Sequence, residues 1–253
     1  ISQVFTHCLN LYVNYMPEII FNGPSGRLEA RYYHSKEPKA PVALVLHPHP
    51  LHGGTMNNKV TYAIFKALVN QGFSVLRFNF RGVGKSQGEF DDGIGELEDA
   101  TCAMDWVQDQ NPESGIFWIA GFSFGAWISM QLMMRRPEIM SFISVSPPAN
   151  KYDFSFLSPC TASGFIVQGS KDTIVPEKYP ANLADKLTMQ KNIDIEYKVV
   201  DNADHFFRDQ MDILENSFAE FIEERLVADK NIASKRRVGK RRRKSRKTKA
   251  KAE

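Results

Sequence analysis

The stretch Ile119-Ala120-Gly121-Phe122-Ser123-Phe124-Gly125-Ala126-Trp127-Ile128 constrains this chain more than any other. An apolar run, Ile116 to Ala120, reads as a short buried strand, and a helical pattern starts at Phe124. Gly-x-Ser-x-Gly lies between them. A serine forced onto so tight a strand-to-helix turn has a strained backbone, and the residues two before and two after it must be very small. Gly121 and Gly125 meet that demand. The turn would lift the Ser123 hydroxyl out of the sheet beside a helix N-terminus, whose partial positive charge favours developing negative charge. The plainer reading is a Gly/Ser-rich turn with Ser123 as a helix cap. The strand–turn–helix context favours a nucleophile.

Apolar runs and helical stripes alternate along the rest of the chain. Glu18–Phe21 and Leu28–Tyr33 flank Gly23-Pro24-Ser25-Gly26 and predict an antiparallel hairpin. Val42–Leu46 is continuously apolar, Val60, Ile64, Ala67 and Leu68 recur at helical spacing, and Gly72 ends that helix. Strands are then expected at Ser74–Phe80, Ser141–Ser146, Gly164–Val167 and Ile193–Val200, and helices at Glu96–Gln110, from Phe124 to about Arg135, and at Glu177–Met189. Met211, Leu214, Phe218, Phe221 and Ile222 stripe a last helix. Strands alternating with helices imply an α/β fold, a parallel sheet covered on both faces. The segment Pro147–Thr161 joins two strands without an obvious long helix, so any lid is small.

A serine nucleophile needs a base, and the base needs an orienting acid. After Ser123 one histidine remains, His205, between the last strand and the last helix, on the side where parallel sheets bind ligands. The acid candidate is Asp172, just past Gly164–Val167; a capping aspartate is the plainer alternative. Asp201 and Asp204 are nearer His205 in sequence, but the acid must face the ring nitrogen across the site. The oxyanion needs two donors. One is the main-chain N–H of Phe124; the other is that of His49, which stands between Pro48 and Pro50, residues with no N–H. The spacing of His47, His49 and His52 lacks a nearby acid or cysteine to complete a metal site, so no metal is expected. Arg81-Gly82-Val83-Gly84-Lys85-Ser86 ends like a phosphate loop, but Asn79 stands where the first glycine belongs. Nor do Gly82, Gly84 and Gly88 have dinucleotide-fingerprint spacing. This reads as a strand-to-helix loop, with Arg81 structural.

Together, Leu46–Pro50, Phe80–Gly88, Gly121–Gly125, the Gly169–Pro176 acid loop and Asp204-His205-Phe206-Phe207 resemble the α/β-hydrolase superfamily, and within it small bacterial cytoplasmic hydrolases related to dienelactone hydrolases and prolyl-oligopeptidase-like domains. The resemblance covers about Met16 to Leu226 and follows the order Ser…Asp…His. It implies an eight-stranded, mostly parallel sheet with helices on both faces, the N-terminal hairpin and no cofactor.

Charge divides the chain. Residues 230–253 hold 13 Lys and Arg against one acid, net +12, while residues 1–229 hold 19 against 28, net −9. The basic tail lacks an apolar period and is expected to be disordered. Without aromatic residues to stack bases, it could bind nucleic acid only without sequence preference. Residues 1–15 begin on Ile1 and carry no Lys or Arg, so they lack the positive start of a signal peptide and are read as an extension or a mis-assigned start. Residues 16–229 form the expected hydrolase domain. Three widely spaced cysteines suggest neither a disulfide framework nor a zinc knuckle. No apolar run approaches the ~20 residues of a membrane span. The expected protein is a cytoplasmic serine hydrolase acting on a small acyl substrate, an ester or thioester. Its rivals are a peptidase of the same fold and an idle scaffold that binds polyanions through the tail. Oligomeric state is left open.

Overall fold

Eight apolar or alternating segments pair into one sheet of order β1-β2-β4-β3-β5-β6-β7-β8. The computed structural model describes residues 16–249, with side chains through 235. The expectation for residues 1–15 lies outside the described residues. Strands β1 (Glu18–Gly23) and β2 (Gly26–Tyr33) form the hairpin that the Gly23–Gly26 turn predicts, and β2 runs antiparallel to β4 (Ser74–Phe78). From there the sheet is parallel: β3 (Val42–Leu46), β5 (Phe117–Phe122), β6 (Ile139–Val145), β7 (Ser163–Gly169) and β8 (Ile195–Val200). The continuously apolar sequence of β3 and the largely apolar one of β6 follow from position. Every residue of both strands is buried, as strands covered on both faces must be.

Helices α1 (Lys59–Asn70) and α5 (Met211–Lys249) cover one face, where Ile64, Leu68, Phe218 and Ile222 pack with Trp118 and Phe165. Helices α2 (Ile94–Asp109), α3 (Phe124–Arg135) and α4 (Lys178–Thr188) cover the other, where Leu97, Met104, Ile128 and Leu183 pack with Leu44, Phe78 and Phe142. Asp229 clamps α5 to the sheet: fully buried, it accepts from Trp118 Nε1 (2.8 Å), Ser141 Oγ (2.7 Å) and Arg225 (2.8 Å).

Most boundaries shift from the sequence reading by one or two residues, and two differences have a visible cause. Strand β4 stops at Phe78, not Phe80, because after Asn79, which still donates to Glu29 O on β2, the N–H groups turn to side chains: Phe80 donates to His47 Nε2 and Arg81 to Asp99 Oδ2. The glycine-rich loop that follows satisfies itself. Arg81 forks onto buried Asp99 at 3.0 and 2.8 Å, and Glu29 Oε2 accepts from Asn79 Nδ2 and Lys85 N. The second difference is in the basic segment, where composition predicts no regular structure and the backbone continues as helix to Lys249. Lys and Arg are good helix formers and no proline interrupts them. Packing on the body also passes residue 229, because Ala233 rests against the α1/α5 cluster. Among the described residues no helix is long and apolar enough to cross a membrane.

Candidate active site

The Gly121–Gly125 turn joins β5 to α3 at the C-terminal edge of the sheet. Ser123 sits there at φ 53°, ψ −118°, a strained conformation for a residue with a side chain. Its N–H is tied to Val145 O at 2.8 Å, and its carbonyl accepts the first bonds of α3. The glycines are required by close approach. A Cβ on Gly121 would lie 2.2 Å from Gly125 O, and one on Gly125 would lie 2.5 Å from both Leu46 O and His47 O.

Asp172 and His205 stand on the loops after β7 and β8. His205 Nδ1 donates to Asp172 Oδ2 (2.7 Å), and His205 Nε2 is 3.1 Å from Ser123 Oγ. A carboxylate only accepts, so the proton on Nδ1 leaves Nε2 as the acceptor facing the serine. Both Asp172 and His205 are 5% exposed. Burial alone would raise the Asp172 carboxyl. The His205 bond and charge, with donors from Val175 N and Gln168, hold it below its ordinary value. Asp172 Oδ1 also accepts the N–H groups of Ile174 and Val175. The ring of His205 packs on Phe122 and Phe206 at 5.0 and 5.2 Å between centroids. Neither Asp201 nor Asp204 is bonded to His205: Asp201 accepts from Asn202 and, across to the loop after β7, from Ser170, and Asp204 accepts from Phe206 and Arg208.

Ser123 and His205 open into a cavity of about 380 Å3 that Pro48, His49 and Phe124 also line. Among the described residues neither His49 N–H nor Phe124 N–H has a protein acceptor. The ring of His49 lies 4.9 Å from Phe124, and its Nδ1 accepts from Leu51 N. Burial, then His52 and Lys151, push its pKa down, which keeps the ring neutral. The three loop histidines do not converge as ligands. His47 is fully buried, donates from Nδ1 to Pro48 O (2.6 Å) and accepts Phe80 N–H at Nε2, so both nitrogens are occupied. No group of three His, Cys, Asp or Glu among the described residues could hold a metal.

Sequence reasoning missed Gln168. Buried at the end of β7, its Nε2 donates to Asp172 Oδ2 (2.9 Å) and Val175 O (2.8 Å) and so braces the acid loop. The available signal was an amide inside an otherwise apolar strand, because a buried polar group needs partners. Asn58 and Lys151, which line the cavity, were missed too. Between β6 and β7 the chain forms only a short 3-10 turn, Ser155–Leu157, so little covers the site.

The model of the X-Pro dipeptidyl-peptidase (S15) family matches residues 24–236, most of the described chain. An uncharacterized protein of Rickettsia prowazekii is 57% identical over 197 residues, 76% of this chain and 83% of that protein. The crystal structure of a protein of unknown function from Agrobacterium tumefaciens, described as an α/β hydrolase, superposes with a TM-score of 0.82 at 53% identity, over 84% of this chain and 97% of that one. An α/β serine hydrolase homologue from Coxiella burnetii gives 0.74 at 37% identity, over 81% and 97%. The chain therefore belongs to the X-Pro dipeptidyl-peptidase (S15) family, with the α/β-hydrolase fold, and is a hydrolase by class.

Proposed function

We propose that the chain is a serine hydrolase that cleaves an ester or thioester through an acyl-enzyme. The observation that carries this reading is the hydrogen-bonded line from Asp172 Oδ2 through His205 to Ser123 Oγ, with steps of 2.7 and 3.1 Å. His205 Nε2 takes the Ser123 proton as Oγ attacks the carbonyl carbon. The main-chain N–H groups of His49 and Phe124 receive the oxyanion, which is why their lack of a protein acceptor supports the roles. His205 then gives its proton to the departing oxygen or sulfur. Water, deprotonated by the same nitrogen, releases the acid and restores Ser123. Asp172 keeps the ring in the Nδ1–H tautomer and balances its charge while it is protonated.

Family membership favours a second reading, a peptidase that removes X-Pro dipeptides. Such a substrate presents a free α-ammonium, which calls for a carboxylate in the pocket, and the cavity lining contains no Asp or Glu. The ester reading is preferred on that ground. A fluorophosphonate probe should label the wild type and not Ser123→Ala. Parallel rates should then be measured on acyl esters and thioesters of graded length and on Ala-Pro-4-nitroanilide. Absence of labelling in folded protein rejects an activated serine and leaves the idle scaffold. Faster turnover of the anilide than of any ester replaces the ester reading with the peptidase.

A further inference from the structure

We propose that the cavity selects substrates with an anionic group, a carboxylate or phosphate near the scissile bond, and that Lys151 is the residue that receives it. This deepens the ester-hydrolase reading and rests on it. The body of the chain is acidic, with 28 Asp and Glu against 19 Lys and Arg in residues 1–229. An average surface cavity on such a body would include carboxylates. This one has none. Its charged lining residue is Lys151, beside His49, His52 and Asn58.

Lys151 is held beside the site by its surroundings. Its N–H donates to Pro148 O (2.9 Å), which closes a turn directly after β6, and neighbouring Asn150 donates from Nδ2 to Ile174 O (3.0 Å) on the acid loop. Its ammonium has no ion-pair partner among the described residues, where eight other Lys or Arg side chains do find a carboxylate. Its charge is felt inside the site, since it is one of the groups that push the His49 pKa down. Asp92 acts on that ring in the opposite sense, but lies outside the lining.

The other polar groups of the cavity have the same sign. Asn58 spends its side-chain oxygen on Val60 N and Thr61 N at the start of α1, which leaves its amide N–H₂ without a protein acceptor. With Nδ1 accepting from Leu51, neutral His49 carries its proton on Nε2, a second donor. The N-terminal ends of α1 and α3 both abut the cavity, through Asn58 and Phe124, and their partial positive charges add to the field. An anion therefore finds a cation and several donors, and no repelling carboxylate. A neutral substrate gains nothing from Lys151, and a cationic one is repelled.

The test uses the full chain and four esters in two pairs: 4-nitrophenyl hydrogen succinate, charged on the acyl side, against neutral 4-nitrophenyl butyrate; and 3-carboxyphenyl butyrate, charged on the leaving group, against neutral phenyl butyrate. One of the two charged esters should exceed its neutral partner in kcat/KM by about three- to fivefold, roughly what one exposed charge pair contributes. The favoured ester identifies the side of the scissile bond that Lys151 serves. That charged-to-neutral ratio should fall to near one in Lys151→Ala, fall below one in Lys151→Glu and persist in Lys151→Arg. Taking the ratio cancels any general loss of activity. Ratios near one in the wild type, or ratios that Lys151→Ala leaves unchanged, overturn the proposal. Fluorophosphonate labelling of Ser123 runs alongside. Folded protein without labelling fails the hydrolase reading itself and the inference with it. Labelling with equal ratios fails the inference alone. Should Ser123 be labelled while none of the esters turns over, succinamate must slow the labelling more than butyramide does, and equal protection overturns the proposal.

Discussion

Asp172→Asn removes a charge while keeping the volume, and the hydrogen bonds around the carboxylate decide how the amide sits. Oδ1 accepts two main-chain donors, Ile174 N and Val175 N, both at 2.8 Å. An amide nitrogen there would leave both donors buried and unsatisfied, at about 1–3 kcal/mol each. The Oδ2 side is more forgiving. Its donors are His205 Nδ1 and Gln168 Nε2, and Gln168 Oε1 is buried with no partner, ready to accept if that amide turns over. The asparagine oxygen therefore takes the Oδ1 position and its nitrogen faces His205. The imidazole must then accept at Nδ1 and carry its proton on Nε2, 3.1 Å from Ser123 Oγ, where it cannot take the serine proton. A wrong tautomer of this kind costs about 10⁴-fold in kcat, or about 5 kcal/mol of transition-state stabilisation. Thermal stability should change little, because most buried bonds survive. The assay is kcat on a 4-nitrophenyl ester with a melting curve for each variant, and Asp201→Asn and Asp204→Asn as controls. Neither of those carboxylates bonds His205, so small losses are expected. A loss below about a hundredfold in folded Asp172→Asn, or a larger loss in either control, refutes the assignment of the acid.

The oxyanion roles can be tested at His49, whose φ of −52° suits proline. His49→Ala keeps the N–H and should cost about tenfold, while His49→Pro deletes the donor and should cost on the order of a hundred- to a thousand-fold in kcat; equal losses in two folded proteins would assign the work to the imidazole. Burial holds the His47 pKa at about 4, below the ordinary 6.5, so the unfolded chain takes up the proton first. Stability should be full above about pH 6.5 and fall by about 3 kcal/mol towards pH 4, and urea midpoints across that range should slope less in His47→Gln than in the wild type, an equal slope assigning the acid sensitivity to other groups. We propose that the basic segment binds polyanions without sequence preference. Truncation after Lys235, which spares the packed Ala233, should leave ester hydrolysis nearly unchanged and remove most affinity for duplex DNA, an affinity that should fall with salt by a logarithmic slope of about 0.9 per phosphate neutralised; binding that survives truncation would place the site on the body.

Much of the fold is legible because burial on both faces writes itself as uninterrupted apolar sequence. Val42–Leu46 is a strand over the same five residues in sequence pattern and structure, and the helix expected from Phe124 to about Arg135 has those bounds. Where legibility fails, distant side chains intervene. Nothing local to Phe80 reveals that its N–H is captured by His47, 33 residues away. The basic segment misleads for a different reason. Its composition argues against a packed core, which is a separate question from whether its backbone coils as a continuation of α5. For the site, chain order and strand ends bring Ser123, Asp172 and His205 to one edge, since in a parallel sheet the loops after β5, β7 and β8 all emerge there. The brace behind them is not legible in the same way. Gln168 can be flagged as a polar residue that must find partners, but not which partners.

The glycines show where sequence reading ends and structure begins. Gly121 and Gly125 identify a tight turn from composition alone, but the reason Gly125 must lack a side chain is another strand. Its Cα packs on the carbonyls of Leu46 and His47, the residues that end β3 and begin the loop carrying His49. That backbone contact fixes the start of α3, and with it the Phe124 N–H, against the His49 loop. His47 holds the loop from its other side through Phe80 N and Pro48 O. Nucleophile turn and oxyanion loop are therefore one packed unit, and a side chain at position 125 would part them before it touched Ser123. The charge of the cavity follows from the same construction. Bringing the ends of two helices and the loops after β3 and β6 to one sheet edge gathers main-chain N–H groups, Asn58 and Lys151, while the acid required for the chemistry is kept behind His205, bonded on both oxygens and away from the lining.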